Sequence, residues 1–170
     1  MVTRDHEFLG QIGAYGSDLG GMISPTCIVF DANENLYLAD EHHHRIAIFD
    51  REGNAVSKWG EKGAAEGQFD KPSGLLVKGD EIYVVDSGNH RIQKYTLDGK
   101  FISQWGSPGD LDGEYNLPWG ICQDSQGHLY VADWRNDRIQ KFSSDGKHIM
   151  TIGGHGAATQ LNRPSDVAVD

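Results

Sequence analysis

Three consecutive histidines, His42-His43-His44, are the residues of this chain best suited to bind a metal. Neutral imidazole serves zinc, copper, iron and nickel alike. Neighbouring side chains on an extended segment point to opposite sides. On that geometry only His42 and His44 can share an ion, and a further ligand must come from another loop. The plainer reading is a run of exposed loop histidines. Asp110, Asp112 and Glu114 form an acidic loop with the oxygen ligands calcium prefers, and a solvated charged loop is its plainer reading. Tyr115, Trp119, Trp134 and Arg135 offer a different chemistry. Aromatic and guanidinium groups are the usual anchors of interaction surfaces. No Gly-x-Ser-x-Gly turn, phosphate-binding glycine loop or zinc-protease helix pattern is present.

A second set of polar residues recurs instead of standing out. Asp40, Asp86 and Asp133 are spaced by 46 and 47 residues, and Arg45, Arg91 and Arg138 follow each aspartate by five. A pair found in every repeat is read as structural. The carboxylate satisfies loop donors, and the guanidinium pairs with it or with a neighbouring repeat.

The period extends to the elements that must carry these residues. Pro25, Pro72, Pro118 and Pro164 recur every 46 or 47 residues, as do Gly13, Gly60, Gly106 and Gly153. Each period reads as four short strands. The first follows the proline, as in Gly74-Leu75-Leu76-Val77, an apolar run expected of a strand covered on both faces. The second ends on the aspartate, as in Ile82-Tyr83-Val84-Val85, and its recurrent tyrosines Tyr37, Tyr83 and Tyr130 read as packing residues with a polar tip. The third starts on the arginine and alternates with period two, as in Arg91-Ile92-Gln93-Lys94-Tyr95. The fourth closes the unit, as in Phe101-Ile102-Ser103-Gln104-Trp105. Asp98-Gly99, Asp145-Gly146 and Glu52-Gly53 supply hairpin turns between strands three and four. A four-stranded antiparallel unit repeated at this spacing is a propeller blade, so the fold class is all-β.

Residues 72–95 carry Pro-Ser-Gly-Leu-Leu-Val, Ile-Tyr-Val-Val-Asp and Ser-Gly-Asn-His-Arg-Ile-Gln-Lys-Tyr, a segment that resembles the NHL repeat. Asn89-His90 matches the Asn-His segment for which the repeat is named, residues 118–142 have Asn136-Asp137 in its place, and residues 25–49 depart with His43-His44. The resemblance implies a six-bladed propeller, which needs roughly 280 residues at this period. On that basis residues 1–24 are the end of a preceding blade, 25–71, 72–117 and 118–163 are blades, and 164–170 is the first strand of the next. Met1 then falls in mid-strand and Asp170 at a strand end, so the chain is expected to be part of a larger ring. An open arc leaves apolar blade faces for self-association to cover.

Composition narrows the partners. The chain has 22 glycines but 5 prolines, 38% apolar and 24% charged residues, and a net charge of −10. That balance fits a turn-rich globular fold. An acidic average disfavours nucleic acid, which wants a basic face. No apolar run is long enough to span a membrane. Cys27 and Cys122 read as buried free thiols.

Because every blade shares the Asp/Arg pair, function is sought where blades differ. One rim gathers the loops between strands two and three with the linkers between blades. It holds His42, His43, His44, Tyr115, Trp119, Trp134 and Arg135. The leading expectation is a non-catalytic module that binds a protein or small ligand there and needs no cofactor. The alternative, implied by the resemblance, is a metal-dependent propeller enzyme, a lactonase-like hydrolase or lyase. Such an enzyme sets metal ligands at the inner end of strand one. Here those positions are Cys27, Gly74, Gly120 and Asp166, of which only Asp166 suits.

Overall fold

Each repeat builds its own sheet. In the computed structural model, which describes residues 10–169, a short parallel pair, β1 (Ala14–Tyr15) and β2 (Gly21–Met22), precedes three four-stranded antiparallel sheets. The first holds β3 (Pro25–Phe30), β4 (Leu36–Asp40), β5 (Arg45–Phe49) and β6 (Ala55–Trp59). The second holds β7 (Pro72–Lys78), β8 (Glu81–Asp86), β9 (Arg91–Thr96) and β10 (Phe101–Trp105). The third holds β11 (Pro118–Gln123), β12 (Leu129–Asp133), β13 (Arg138–Phe142) and β14 (His148–Gly153). Strands run in chain order within each sheet, the meander of a propeller blade. The glycines of the expected hairpin turns, Gly53, Gly99 and Gly146, each have φ +86, a conformation that costs glycine little.

The blades stack face to face. In β8, Ile82 and Val84 join Tyr37, Ala39, Ile46 and Ile48 of the first blade in one core, with Leu75 and Tyr95. Tyr83 and Val85 point the other way and join Ile121, Leu129, Val131 and Phe142 of the third blade. Both faces of a central strand are therefore covered, which is why its sequence is a continuous apolar run. Burying a side chain of this size supplies about 1.5–3 kcal/mol.

The inner strands meet at the propeller axis. A Cβ added to Gly74 would lie 2.4 Å from the Trp119 carbonyl oxygen, so only glycine lets β7 and β11 approach this closely. The Thr26 hydroxyl donates to the carbonyls of Pro72 and Ser73 at 3.1 and 3.0 Å, and Ser73 repeats the bond to Trp119 at 2.9 Å. Trp119 occupies the same position in the third blade and has no hydroxyl to continue this ladder.

The two ends of the arc differ from its middle. Leu75 and Ile121 are 3% and 7% exposed, but Ile28, their counterpart in the first blade, is 55% exposed. It lies with Phe30, Leu36, Leu38, Ile12 and Met22 around an apolar hollow of about 380 Å³. Residues 164–169 pair in no strand. They nonetheless run beside β11, since a Cβ on Gly120 would sit 2.4 Å from Asp166 Oδ1. The placement of Met1, and the first nine residues of the segment expected to end a preceding blade, fall outside the described residues. No helix among the described residues is long and apolar enough to cross a membrane.

Candidate binding site at the loop rim

The recurrent aspartates and arginines form a latch. Asp86 is fully buried at the end of β8, and Arg91 opens β9 directly opposite it. Asp86 Oδ1 accepts the Asp70 N–H at 2.7 Å, and Oδ2 accepts from Arg91 Nε, Asn89 Nδ2 and Gln93 Nε2 at 2.8, 2.9 and 3.0 Å. Arg91 then grips the linker before its own blade, donating to the carbonyls of Ala64, Ala65 and Gln68. Asp133 and Arg138 repeat this with Asn136, Gln140 and the linker carbonyls of Asp110, Leu111 and Glu114. Burial pushes the Asp86 carboxyl above its ordinary value in spite of these donors.

A second latch joins each blade to the next. His90 ends its turn in the left-handed region at φ +55, and its Nδ1 accepts the Leu117 N–H at 3.2 Å. Leu117 is itself at φ +51, immediately before Pro118. His44 does the same for Lys71 at 3.1 Å, and Asp137 Oδ1 does so for Arg163 at 2.8 Å.

These contacts decide the histidine run. The segment is a hydrogen-bonded turn with His44 at φ +53, not the expected extended segment, so strand alternation does not bring His42 and His44 to one side. His44 Nδ1 is committed to Lys71, and burial lowers its pKa. His43 stands where other blades have asparagine, with Nδ1 2.6 Å from Asp40 Oδ2. Of these three histidines only His42 is exposed. Among the described residues no three His, Cys, Asp or Glu side chains are grouped to hold a metal. Burial opposes ionisation of Asp40, but the bond from His43 and the backbone donors outweigh it and hold its pKa below the usual value.

Tyr115 also moves off the rim. It is fully buried at the blade interface, in the slot that Phe69 fills one period earlier, where it packs 5.8 Å from Phe142. It is a core residue and offers no surface to a ligand. Its signal was legible: each of Phe69 and Tyr115 lies nine residues after the recurrent glycine. The thiols of Cys27 and Cys122 are half-buried, not fully enclosed as expected, and burial raises both pKa values, Cys122 to about 11.

Trp119, Trp134 and Arg135 do come together. Trp119 and Trp134 lie 6.5 Å apart at 48°, both half-buried. The guanidinium groups of Arg135 and Arg163 are each 5.3 Å from the Trp134 ring, and both arginines are exposed. Sequence reasoning missed Arg163; its signal was its place directly before the recurrent proline, on the expected rim. Trp119 also borders a pocket of about 150 Å³ at the axis, lined by Thr26, Cys27, Ser73, Ser165 and Asp166. The inner positions Cys27, Gly74, Gly120 and Asp166 thus meet as expected, with one carboxylate among them. The chemistry on offer is π-stacking and cation contact on an otherwise acidic protein.

The NHL repeat matches residues 23–49, 69–95 and 115–142. Protein brain tumor of Drosophila melanogaster is 31% identical over 67 residues, which are 39% of this chain and 6% of that protein. Among solved structures, a catalytically inactive virginiamycin B lyase from Staphylococcus aureus with quinupristin has a TM-score of 0.67 at 15% identity, covering 94% of this chain and 49% of that one. Kuenenia stuttgartiensis hydrazine synthase gives a TM-score of 0.63 at 15% identity, over 89% of this chain and 42% of that one. The chain therefore spans under half the length of these structures, and at such identities the likeness concerns the fold alone. With three repeat matches, each lying on a four-stranded sheet and its Asp/Arg latch, the chain belongs to the NHL-repeat family of β-propellers.

Proposed function

We propose that this propeller segment is a recognition module that binds a protein or small ligand at the rim of the third blade. The observation that carries the reading is the Trp119–Trp134 pair flanked by Arg135 and Arg163. These residues are not shared by the other blades, where Thr26, Ser73, Glu41 and Ser87 stand in the tryptophan positions. An aromatic pair that is half-exposed and carries two cations gives stacking area and charge at one place, the composition of a binding hot spot. The test compares capture by the unaltered protein with capture by a Trp119→Ala/Trp134→Ala variant from the same extract. Partners retained by the first and lost by the second are expected. Identical capture by both would remove the rim from consideration.

A second reading, a lyase-like enzyme completed by further blades, is supported by the virginiamycin B lyase fold and by Asp166 at the axial pocket. The two readings part on Asp166→Asn, which leaves rim binding intact but would abolish a reaction centred on the axis. The uncovered face around Ile28 and Phe30 supports contact with one more blade, from a longer chain or a second copy. Sedimentation of the unaltered chain and of Ile28→Asp distinguishes the two: only association between copies is weakened by the charge.

A further inference from the structure

The latch arginines are not equally satisfied. An arginine has five N–H donors. Arg91 uses all five: Nε on Asp86, Nη1 on Ala64 O and Gln104 Oε1 (both 2.8 Å), and Nη2 on Ala65 O and Gln68 O. Arg138, one period later, is 7% exposed and makes the same contacts to Asp133, Asp110, Leu111 and Glu114. Among the described residues its second Nη1 hydrogen has no counterpart of Gln104. Thr151 occupies that position on β14, and its hydroxyl is turned to Asp112 Oδ1 at 3.1 Å and His148 Nε2 at 3.0 Å. Between Arg138 and Thr151 lies a cavity of about 250 Å³, also lined by Asp110, Asn136 and His155.

We propose that this cavity is a socket for a side-chain carboxamide, the glutamine or asparagine of a peptide. The second blade displays the chemistry: the group that completes Arg91 is an amide oxygen from Gln104. Charge selects the amide over a carboxylate. Arg138 is already paired with Asp133. Of the other charged or titratable groups, Asp110 and His155 line the cavity, Asp112 and His148 contact the Thr151 hydroxyl on its wall, and Asp137 Oδ2 lies 3.9 Å from His155 Nε2. An anion there would meet Asp110 on the wall, with Asp112 and Asp137 behind the wall residues Thr151 and His155. A neutral amide gives its oxygen to Arg138 Nη1 and turns its N–H groups toward the acid on the wall, Asp110. None of the residues of the Trp119–Trp134 cluster lines this cavity, so the socket stands or falls apart from the rim reading.

The experiment is an NMR titration of the full chain, following the Arg138 Nε–H and the Thr151 methyl. The probes are N-acetylglutamine methylamide, its glutamate analogue and its norleucine analogue, which share the same backbone amides. Saturable shifts with the glutamine probe are expected, with weaker ones for glutamate and none for norleucine. Thr151→Gln supplies its own carboxamide and should weaken the glutamine probe by at least about tenfold, about 1.4 kcal/mol. Thr151→Ala keeps the cavity and should keep the binding. Equal shifts from glutamine and norleucine in the unaltered chain, or full binding by a folded Thr151→Gln, would overturn the proposal.

Discussion

The first and second blades have the same strands in the same order, yet their latches are built differently. Asp86 holds Arg91, Asn89 and Gln93 together. At the matching positions, Asp40 faces His43 in place of asparagine and Ala47 in place of glutamine. His43 takes the carboxylate oxygen that elsewhere receives the arginine Nε. Arg45 is displaced to 3.7 Å, and its buried Nε has no partner among the described residues. It still holds the linker carbonyls of Ser17, Asp18 and Gly21. What the blades keep in common is therefore the grip of the arginine on its linker, while the close aspartate–arginine bond is lost where histidine replaces asparagine. The asparagine and glutamine fill the remaining bonds of the latch, and a blade survives without them.

The comparison can be broken in four ways. Removing the acid should cost most: Asp86→Ala strands a buried guanidinium and should destabilise by about 3–5 kcal/mol in urea unfolding. Asp40→Ala should cost visibly less, since its ion pair is already long; equal losses would contradict the difference drawn between the blades. Gln93→Ala makes the second blade resemble the first and should cost about 1–3 kcal/mol, because two bonds from Gln93 hold a linker carbonyl and a buried carboxylate. The converse change, His43→Asn with Ala47→Gln, should stabilise the first blade by about 1–2 kcal/mol and raise the unfolding midpoint.

The smallest effect concerns acid. Asp40 has a lowered folded pKa, so the stability its ionised form supplies is complete above the ordinary carboxylate value near 3.9 and is lost as pH falls through the folded value. Asp86 has a raised folded pKa, so its ionisation costs stability above that range and acid relieves the cost. Below about pH 4, amide exchange in the linker at residues 14–24 should therefore accelerate before that at residues 61–71. Simultaneous acceleration would show that the two latches titrate alike.

Much of this fold was legible in the sequence because the period is short and its markers are backbone markers. Glycines fix turns and axial approaches, prolines open inner strands, and the Asp/Arg pair closes the rim. The site was less legible, for a physical reason. A side chain's exposure on a rim depends on which residue covers it, and that is set by neighbouring blades. Tyr115 looked blade-specific because Phe69 is not a tyrosine, although both fill one core slot. His44 looked like a ligand, but its nitrogen secures the next linker. Arg163 carried a signal in its place before Pro164, whereas the bond Arg138 lacks depends on side-chain geometry that no spacing encodes.

The latch also sets a timetable. Each arginine grips carbonyls that lie 23 to 28 residues before it. A chain emerging from the ribosome N-terminus first delivers the linker well ahead of the group that secures it. Every linker is thus a loose end until its own third strand is out. Folding during synthesis advances in strides of one period, and translation halted between a linker and its arginine leaves that linker the most open to proteases.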